Sequence, residues 1–342
     1  MQEKRPTVAD VAALAKVSLG TVSNVLNGST PVSKDRRERV LKAIEELGYT
    51  QNMLAQGLRS NRSPIVGMCI PHTAIAYFSA LVDAFDEIAA SNNIELMLVL
   101  SRDDPETEFN RIKSLLNFRV GGIILVPCGQ TAATYDMMAQ SKVPVVIADR
   151  IPLPGKSFPF DCVTFDSRRI MCQAGRELIA KGHRDILFIV SKRNANVTLQ
   201  RIEGLKDAAR ESGEDVGITV IDCNDETMLI AQLSSEMGKE RRPGAIITST
   251  NGLATWIMRA FRVLHIRCPE DVSLMSCDEP DWSTITTPTL SVIRQPTQRI
   301  ARMAWAFLLQ RMNDRECGLQ QVQLEAEVIF RESVKNDLRE ID

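Results

Sequence analysis

Ten lysines and arginines gather in the first 62 residues, and the chemistry they offer is phosphate neutralisation. Lys4, Arg5, Lys16, Lys34, Arg36, Arg37, Arg39, Lys42, Arg59 and Arg62 face six acids (Glu3, Asp10, Asp35, Glu38, Glu45 and Glu46), a balance of +4. The rest of the chain carries 31 basic and 37 acidic residues, so the overall charge of -2 hides a basic head on an acidic body. That division suits a phosphate-binding module joined to a domain with another ligand. A solvated helical surface carries the same charge, so the neighbouring residues must decide. Other chemistries lack their spacing. The eight cysteines (Cys69, Cys128, Cys162, Cys172, Cys223, Cys268, Cys277 and Cys317) are scattered, with no C-x-x-C and no nearby His pair, and read as reduced packing thiols. His72, His183 and His265 are far apart, and neither a nucleophile elbow nor a phosphate loop appears. No metal, cofactor or catalysis is expected.

The elements that would position the basic groups follow from apolar spacing. Thr7 and Asp10 form a capping-box start, and Val8, Val11, Ala12 and Ala15 recur on one helical face. Ser18 can cap a second helix with Val22, Val25 and Leu26 on its apolar side, which leaves Leu19, Gly20, Ser23 and Asn24 outward. Asn27-Gly28 ends it, since both residues tolerate left-handed backbone. A Ser33 cap opens a third helix through Val40, Ala43, Ile44 and Leu47, stopped at Gly48. Three short helices sharing a small core, with a tight turn before the second, let that second helix enter a major groove while basic side chains meet phosphates.

Thr7-Val8-Ala9-Asp10-Val11-Ala12, the run from Val17-Ser18-Leu19-Gly20-Thr21-Val22-Ser23-Asn24 to Asn27-Gly28, and Arg39-Val40 to Leu47-Gly48-Tyr49 closely resemble the LacI/GalR family of bacterial transcription regulators. The resemblance implies that Leu19, Gly20 and Asn24 face base edges. It gives Ser18, Thr21 and Ser23 packing or phosphate contacts, and Asn27 belongs to the same DNA-contacting run. The Asn24 amide pairs a donor with an acceptor, as an adenine edge requires, and Leu19 can meet a thymine methyl. Gly20 has no side chain with which to read.

Gln51 to Ser60 reads as a short, weak helix with Gly57 near its end, below the ~12 to 15 residues at which lone helices become stable. An ordering hinge, or a plain linker, fits such a segment. The resemblance implies a hinge helix whose Leu58 wedges between base pairs of the minor groove.

From Pro64 the pattern changes. Strands are expected at 65–70, 94–100, 122–126 and 143–148 with helices at 78–90 and 105–116. A second set follows, with strands at 186–190, 218–222, 245–248 and 272–275 and helices at 168–180, 199–211, 227–237 and 253–264. Two successive βαβ sets imply two doubly wound parallel sheets with a ligand cleft beyond the strands' carboxyl ends. The architecture resembles periplasmic sugar-binding proteins, in which the chain crosses between lobes three times. The expected organisation is therefore a helix-turn-helix domain at 1–50, a hinge at 51–62 and an effector-binding, dimerising core at 63–342. Within the core, lobe one takes 63–163 and 292–320, and lobe two takes 164–291 and 321–342.

Arg119-Val120-Gly121-Gly122-Ile123-Ile124, Pro144-Val145-Val146-Ile147-Ala148-Asp149-Arg150, Gly182-His183-Arg184-Asp185-Ile186 and Asp271-Val272-Ser273-Leu274 extend the resemblance to nearly the whole chain. It implies that Arg201, with Gly204 in an R-x-x-G at a helix start, and Asp278 bind a small effector. A guanidinium fork and a carboxylate suit sugar hydroxyls or an acidic metabolite. Asp149 and Asn251 are further candidates, each equally suited to a helix cap or a strand-end turn. Ser276-Cys277 stands where the family has a glycine and an aromatic, and only 5% of residues are aromatic, so a ligand other than a common hexose is expected. Arg201 with Lys192 and Arg193 points to an anion such as a sugar acid or phosphorylated sugar.

Among function classes, a solute-binding transport protein accounts for the body alone, and an enzyme for neither part. Met1-Gln2-Glu3-Lys4-Arg5-Pro6 has no apolar region behind it, and no run reaches the ~18 apolar residues of a membrane helix. The expectation is a cytoplasmic repressor, nucleoid-associated when bound, acting as a homodimer on a near-palindromic operator under the control of a sugar, sugar acid or related metabolite.

Overall fold

In the computed structural model, which describes residues 6–27, 31–49, 63–129, 132–150, 159–191 and 196–335, the chain divides into two units, Met1–Ser63 and Pro64–Asp342. The first holds α1 (Val8–Ala15), α2 (Leu19–Asn27) and α3 (Lys34–Leu47). Thr7 closes the capping box: its N and Oγ1 donate to Asp10 Oδ2 at 2.8 and 2.7 Å, and Asp10 N donates to Thr7 Oγ1 at 3.4 Å. Lys16 turns the chain left-handed at φ 52, and Thr21 N donates to Ser18 Oγ at 3.2 Å, so α2 starts almost at once. Ser33 holds the cap position of α3, but its side chain makes no capping bond; Gly48 ends that helix at φ 59. Val11, Val22 and Val40 are wholly buried and form the core with Ala12, Ala15, Ala43 and Tyr49. The expected hinge helix, with Leu58, falls outside the described residues.

The second unit repeats one topology. β1 (Ile65–Ile70), β2 (Glu95–Leu100), β3 (Gly122–Leu125), β4 (Val145–Asp149), β5 (Asp161–Phe165) and β11 (Gln321–Leu324) form a sheet in the order β11-β5-β4-β3-β1-β2. All its strands are parallel. β6 (Asp185–Val190), β7 (Gly217–Asp222), β8 (Ala245–Thr248), β9 (Ser273–Cys277), β10 (Ser291–Arg294) and β12 (Glu327–Ile329) form the other, in the order β12-β10-β9-β8-β6-β7. Only β12, against β10, is antiparallel. Strand order reverses between β1 and β3, and again between β6 and β8, where doubly wound sheets open a crevice at their carboxyl ends.

Both sheets are covered on two faces, which explains their runs of buried Ile and Val. On the first, α4 (Ala76–Ser91) and α11 (Thr297–Asn313) bury Phe85, Leu81 and Trp305, while α5 (Pro105–Asn117) and α6 (Ala132–Ser141) bury Ile112, Leu115 and Met138. On the second, α7 (Ser167–Ala180) and α8 (Asn196–Ser212) pack opposite α9 (Glu226–Met237) and α10 (Asn251–Leu264).

The chain changes lobe at Asp166, at Gln295-Pro296 and at Glu325-Ala326, and this shifts the expected lobe boundaries. The expectation gave 292–320 to lobe one and 321–342 to lobe two. Instead Val292 pairs with Ser276 in the second sheet, and Gln321 pairs with Cys162 in the first. β5 likewise runs to Phe165 before the first crossing. Each exchange comes later because a short strand first completes the open ladder beside β9 or β5.

α7 and α8 approach so closely that a Cβ on Gly204 would lie 2.2 Å from the Arg168 carbonyl oxygen and 3.0 Å from Cys172 N. Backbone atoms cannot rotate aside as side-chain ends do. Gly204→Ala is therefore expected to destabilise the second unit by about 2 kcal/mol, within the usual range for overpacking. A urea midpoint lowered without a change in slope would show it.

Candidate functional site

Two surfaces collect the residues singled out in the sequence. At the start of α2, Val22 points into the core while Ser18, Leu19 and Gly20 are exposed, Leu19 at 56%. Thr21, Ser23 and Asn24 are half-buried. The Ser18 and Thr21 hydroxyls lie 3.0 Å apart, which steadies the helix start. Asn27 is the last residue of α2. Lys16, Lys34, Arg36 and Arg37 are exposed on the same unit.

The second surface lies in the cleft of the larger unit. β4 and β9 hold the same place in their sheets, and each leads into an aspartate: Asp149 ends β4, and Asp278 follows β9. Both have left-handed φ, 70 and 76, and both are buried, at 6% and 7% exposure. Tyr77, on α4, donates its hydroxyl to Asp149 Oδ1 at 2.7 Å. Arg150 Nε lies 3.7 Å from Asp149 Oδ2, while its Nη1 donates to Asp103 Oδ1 at 2.6 Å and to the Pro127 carbonyl at 3.3 Å. The same guanidinium sits 5.4 Å from the centre of the Phe78 ring. On the facing lobe, Arg201 Nη1 donates to the Ser249 carbonyl at 2.9 Å. Gln295, at the second crossing, donates Nε2 to Asp278 Oδ1, and its Oε1 is buried with no partner among the described residues.

These groups feel one another across the lobes. Burial raises the Asp149 carboxyl, opposed by Arg150, Tyr77 and also Arg201 from the second lobe. Burial pushes Asp278 up to about 6; Arg201 and Gln295 oppose this, and Asp149 adds to it. Burial, then Asp149, holds the Tyr77 phenol well above its ordinary value. Asp149, Arg201 and Asp278 are thus close enough for each charge to bear on the others. Asn251 is the first residue of α10, half-buried, with Thr250 rather than Asn251 capping the helix; it lies two residues past the carbonyl that Arg201 holds. Tyr77 and Gln295 went unnoticed in the sequence. No motif marks either, although Gln295 beside Pro296, just past an apolar run, is a turn signal.

One expectation about the ligand loses its basis. Cys277 faces the core of the second lobe, its Sγ 3.9 Å from Met171 Sδ, and burial raises its thiol to about 11. Strand alternation turns that position away from the crevice, so the missing aromatic there concerns packing rather than ring stacking. Tyr77 supplies an aromatic from the other lobe. Arg150 and Arg201 stand beside three carboxylates (Asp103, Asp149 and Asp278). Lys192 and Arg193 fall outside the described residues.

The raised Asp278 has a consequence for pH. Between its ordinary value near 4 and about 6, the folded chain keeps a proton that the unfolded chain has lost, so folding weakens as pH rises through that window. Asp278→Asn lacks this titration. The difference in melting temperature, variant minus wild type, should increase from pH 4 to pH 6 and stay level above it; a difference flat across the range would contradict the burial of this carboxylate.

Comparison with known proteins finds a match for each unit. Residues 7–52 match the model described as bacterial regulatory proteins, lacI family, and residues 176–334 match a periplasmic binding protein-like domain. Catabolite control protein A of Priestia megaterium is 29% identical, with 96% of this chain and 99% of that protein aligned. The HTH-type transcriptional repressor PurR of Haemophilus influenzae (strain PittEE) is also 29% identical, over 97% and 99% of the two chains. The lac repressor dimer bound to operator and the anti-inducer ONPF superposes with a TM-score of 0.81 at 22% identity, covering 97% of this chain and all of that one. One chain thus combines a helix-turn-helix domain of the lacI family with a periplasmic binding protein-like domain, as do the regulators it is similar to.

Proposed function

We propose that this regulator is a cytoplasmic, non-enzymatic repressor that binds a near-palindromic operator as a homodimer and responds to a small effector held between its lobes. The observation that supports the reading is the burial of Asp149 and Asp278 at equivalent strand ends of the two lobes, each influenced by Arg201, in a chain that also exposes Leu19 and Gly20 on α2. In this reading Leu19 and Asn24 meet base edges, and Ser18, Thr21, Ser23 and Asn27 seat the helix on the backbone. Arg201, Asp278, Asp149 and Asn251, joined by Tyr77 and Gln295, hold the effector. A ligand rich in hydroxyl or N–H donors would satisfy the carboxylates and Gln295 Oε1, and would draw the lobes together. The names of the similar proteins, two repressors and a catabolite control protein, support the repressor reading. Closure would alter the spacing of the paired hinge segments and couple ligand to DNA by about 1 to 3 kcal/mol.

In vitro selection from random duplex DNA with the full-length protein tests the first half of this reading. One near-palindromic site is the expected product, and failure to enrich any site, with or without added metabolites, would count against it. Leu58→Ala should then weaken binding to that site far more than to non-specific DNA, since a wedge contributes only where the duplex is opened; equal losses would deny it that role. Arg201→Ala should keep the operator affinity of the ligand-free protein while removing the response to an effector found by screening. An unchanged response would take Arg201 out of the pocket.

A further inference from the structure

Hydrogen-bond capacity around the two strand-end aspartates is unevenly used. Among the described residues Asp278 accepts one side-chain bond, from Gln295 Nε2 to Oδ1, and its Oδ2 accepts none. Asp149 accepts from Tyr77 on Oδ1, while its Oδ2 has only Arg150 Nε at 3.7 Å, beyond hydrogen-bond reach. Gln295 Oε1 is buried without a partner, and Asp278 sets its orientation, because the flipped amide would put oxygen against carboxylate. Three acceptors are therefore open. Most donors beside them are engaged: Tyr77 Oη and Gln295 Nε2 serve the aspartates, and Arg150 Nη1 serves Asp103 and the Pro127 carbonyl. Arg201 gives Nη1 to the Ser249 carbonyl and keeps further N–H groups.

Charge points the same way. Asp103, Asp149 and Asp278 stand with two guanidiniums, Arg150 and Arg201, and Arg150 is bonded to Asp103 rather than to Asp149. His72, too, lies beside Asp103, at 3.7 Å. Burial penalises Asp149 and Asp278 as anions, and each raises the penalty on the other. A ligand that displaces water from them without bringing charge deepens that penalty, whereas a cation offsets it. We propose that the effector is a polyol of sugar size bearing a primary ammonium, an amino sugar or its like, with the ammonium against Asp278 Oδ2 and Gln295 Oε1. This rests on the effector-site reading of these residues. An ammonium has three donors and no acceptor, which suits acceptors that lie side by side across one hydrogen bond. The ligand's hydroxyls donate to Asp149 and accept from the remaining N–H groups of Arg201. A sugar acid would instead set a fourth carboxylate beside the three.

The test is a matched sugar panel added to the full-length protein at pH 7 and constant ionic strength, with melting followed for wild type, Asp278→Asn, Asp149→Asn and Arg201→Ala. The probes are D-glucosamine, D-galactosamine and D-mannosamine, their parent hexoses and the corresponding uronates. A ligand that binds only the folded chain raises its melting temperature, so titrations give relative affinities. At least one amino sugar should bind about tenfold or more tightly than its parent hexose, the gain expected when a donor to a carboxylate becomes charged, and the uronate should bind more weakly than either. Asp278→Asn should lose that preference; Asp149→Asn supplies the same comparison if Asp278→Asn does not fold. A parent hexose or uronate bound as tightly as the amino sugar would overturn the ammonium class, as would a panel with no binder. If Arg201→Ala abolished the effect of such a neutral or acidic ligand, the effector site would stand and only its proposed chemistry would fall. An amino sugar whose effect survived both aspartate variants would remove the site as well.

Discussion

A carboxylate removed from water must be met by neighbours, and in the larger unit the neighbours of Asp149 and Asp278 come from both lobes. Much of the surrounding structure serves to hold those neighbours still. Arg150 reaches Asp149 because Asp103, in a left-handed turn with Arg102, and the ring of Phe78 fix its guanidinium. Arg201 donates to the carbonyl that follows β8, and Gln295 reaches Asp278 from the second crossing. In the proposed reading, a ligand that satisfies both aspartates would favour the arrangement in which they are close.

The crossings show how the lobes keep their integrity while they stay connected. Arg311 forks onto the wholly buried Asp161, Nε to Oδ2 at 2.9 Å and Nη2 to Oδ1 at 2.7 Å, and Gln320 N donates to the same carboxylate at 2.8 Å. That ties the end of α11 and the start of β11 to β5. Glu279 binds both Arg294 and Arg331, which fastens the end of β10 and the tail to the end of β9. Between these anchors only short pieces are free to bend. One of them contains Gln295, so the residue that touches Asp278 also sits where lobe rotation must be absorbed.

The parts of this fold legible in the sequence are those in which one periodicity runs long enough to be unambiguous. The capping box at Thr7, the stop at Gly48, and strands such as β1 and β6 appear where apolar spacing places them, with ends moved by a residue or two. β5 and α6 were not anticipated. β5 mixes Asp161, Cys162 and Thr164 into a five-residue strand, and its Asp161 is buried because Arg311, 150 positions away, satisfies it. α6 spreads Ala132, Ala133, Tyr135, Met137, Met138 and Ala139 around the whole helix, so its period is faint. Four-residue β10 and β11 are too short to show which sheet they join. Arg201 and Asp278 were visible through motifs, whereas Tyr77 and Gln295 were not. Their partners are carboxylates distant in the chain, and nothing local records that a buried oxygen will need a donor.

Covalent order limits how an effector could act on the head. Residues 51–62 lead within a few positions to β1, which is six residues long, roughly 20 Å, and almost wholly buried between two helix layers. Its carboxyl end leads directly into α4 and Tyr77, and hence to Asp149. Within the larger unit, β1 thus connects the residues that follow position 62 to Tyr77 in the first lobe, and the second lobe is joined to the first through the crossings alone. In the proposed reading, the second lobe would hold the ligand against which the first one turns. Effector contacts with Asp278 and Arg201 would govern how tightly the ligand binds, and contacts with Asp149 and Tyr77 would govern how much of that binding is converted into a change at the DNA.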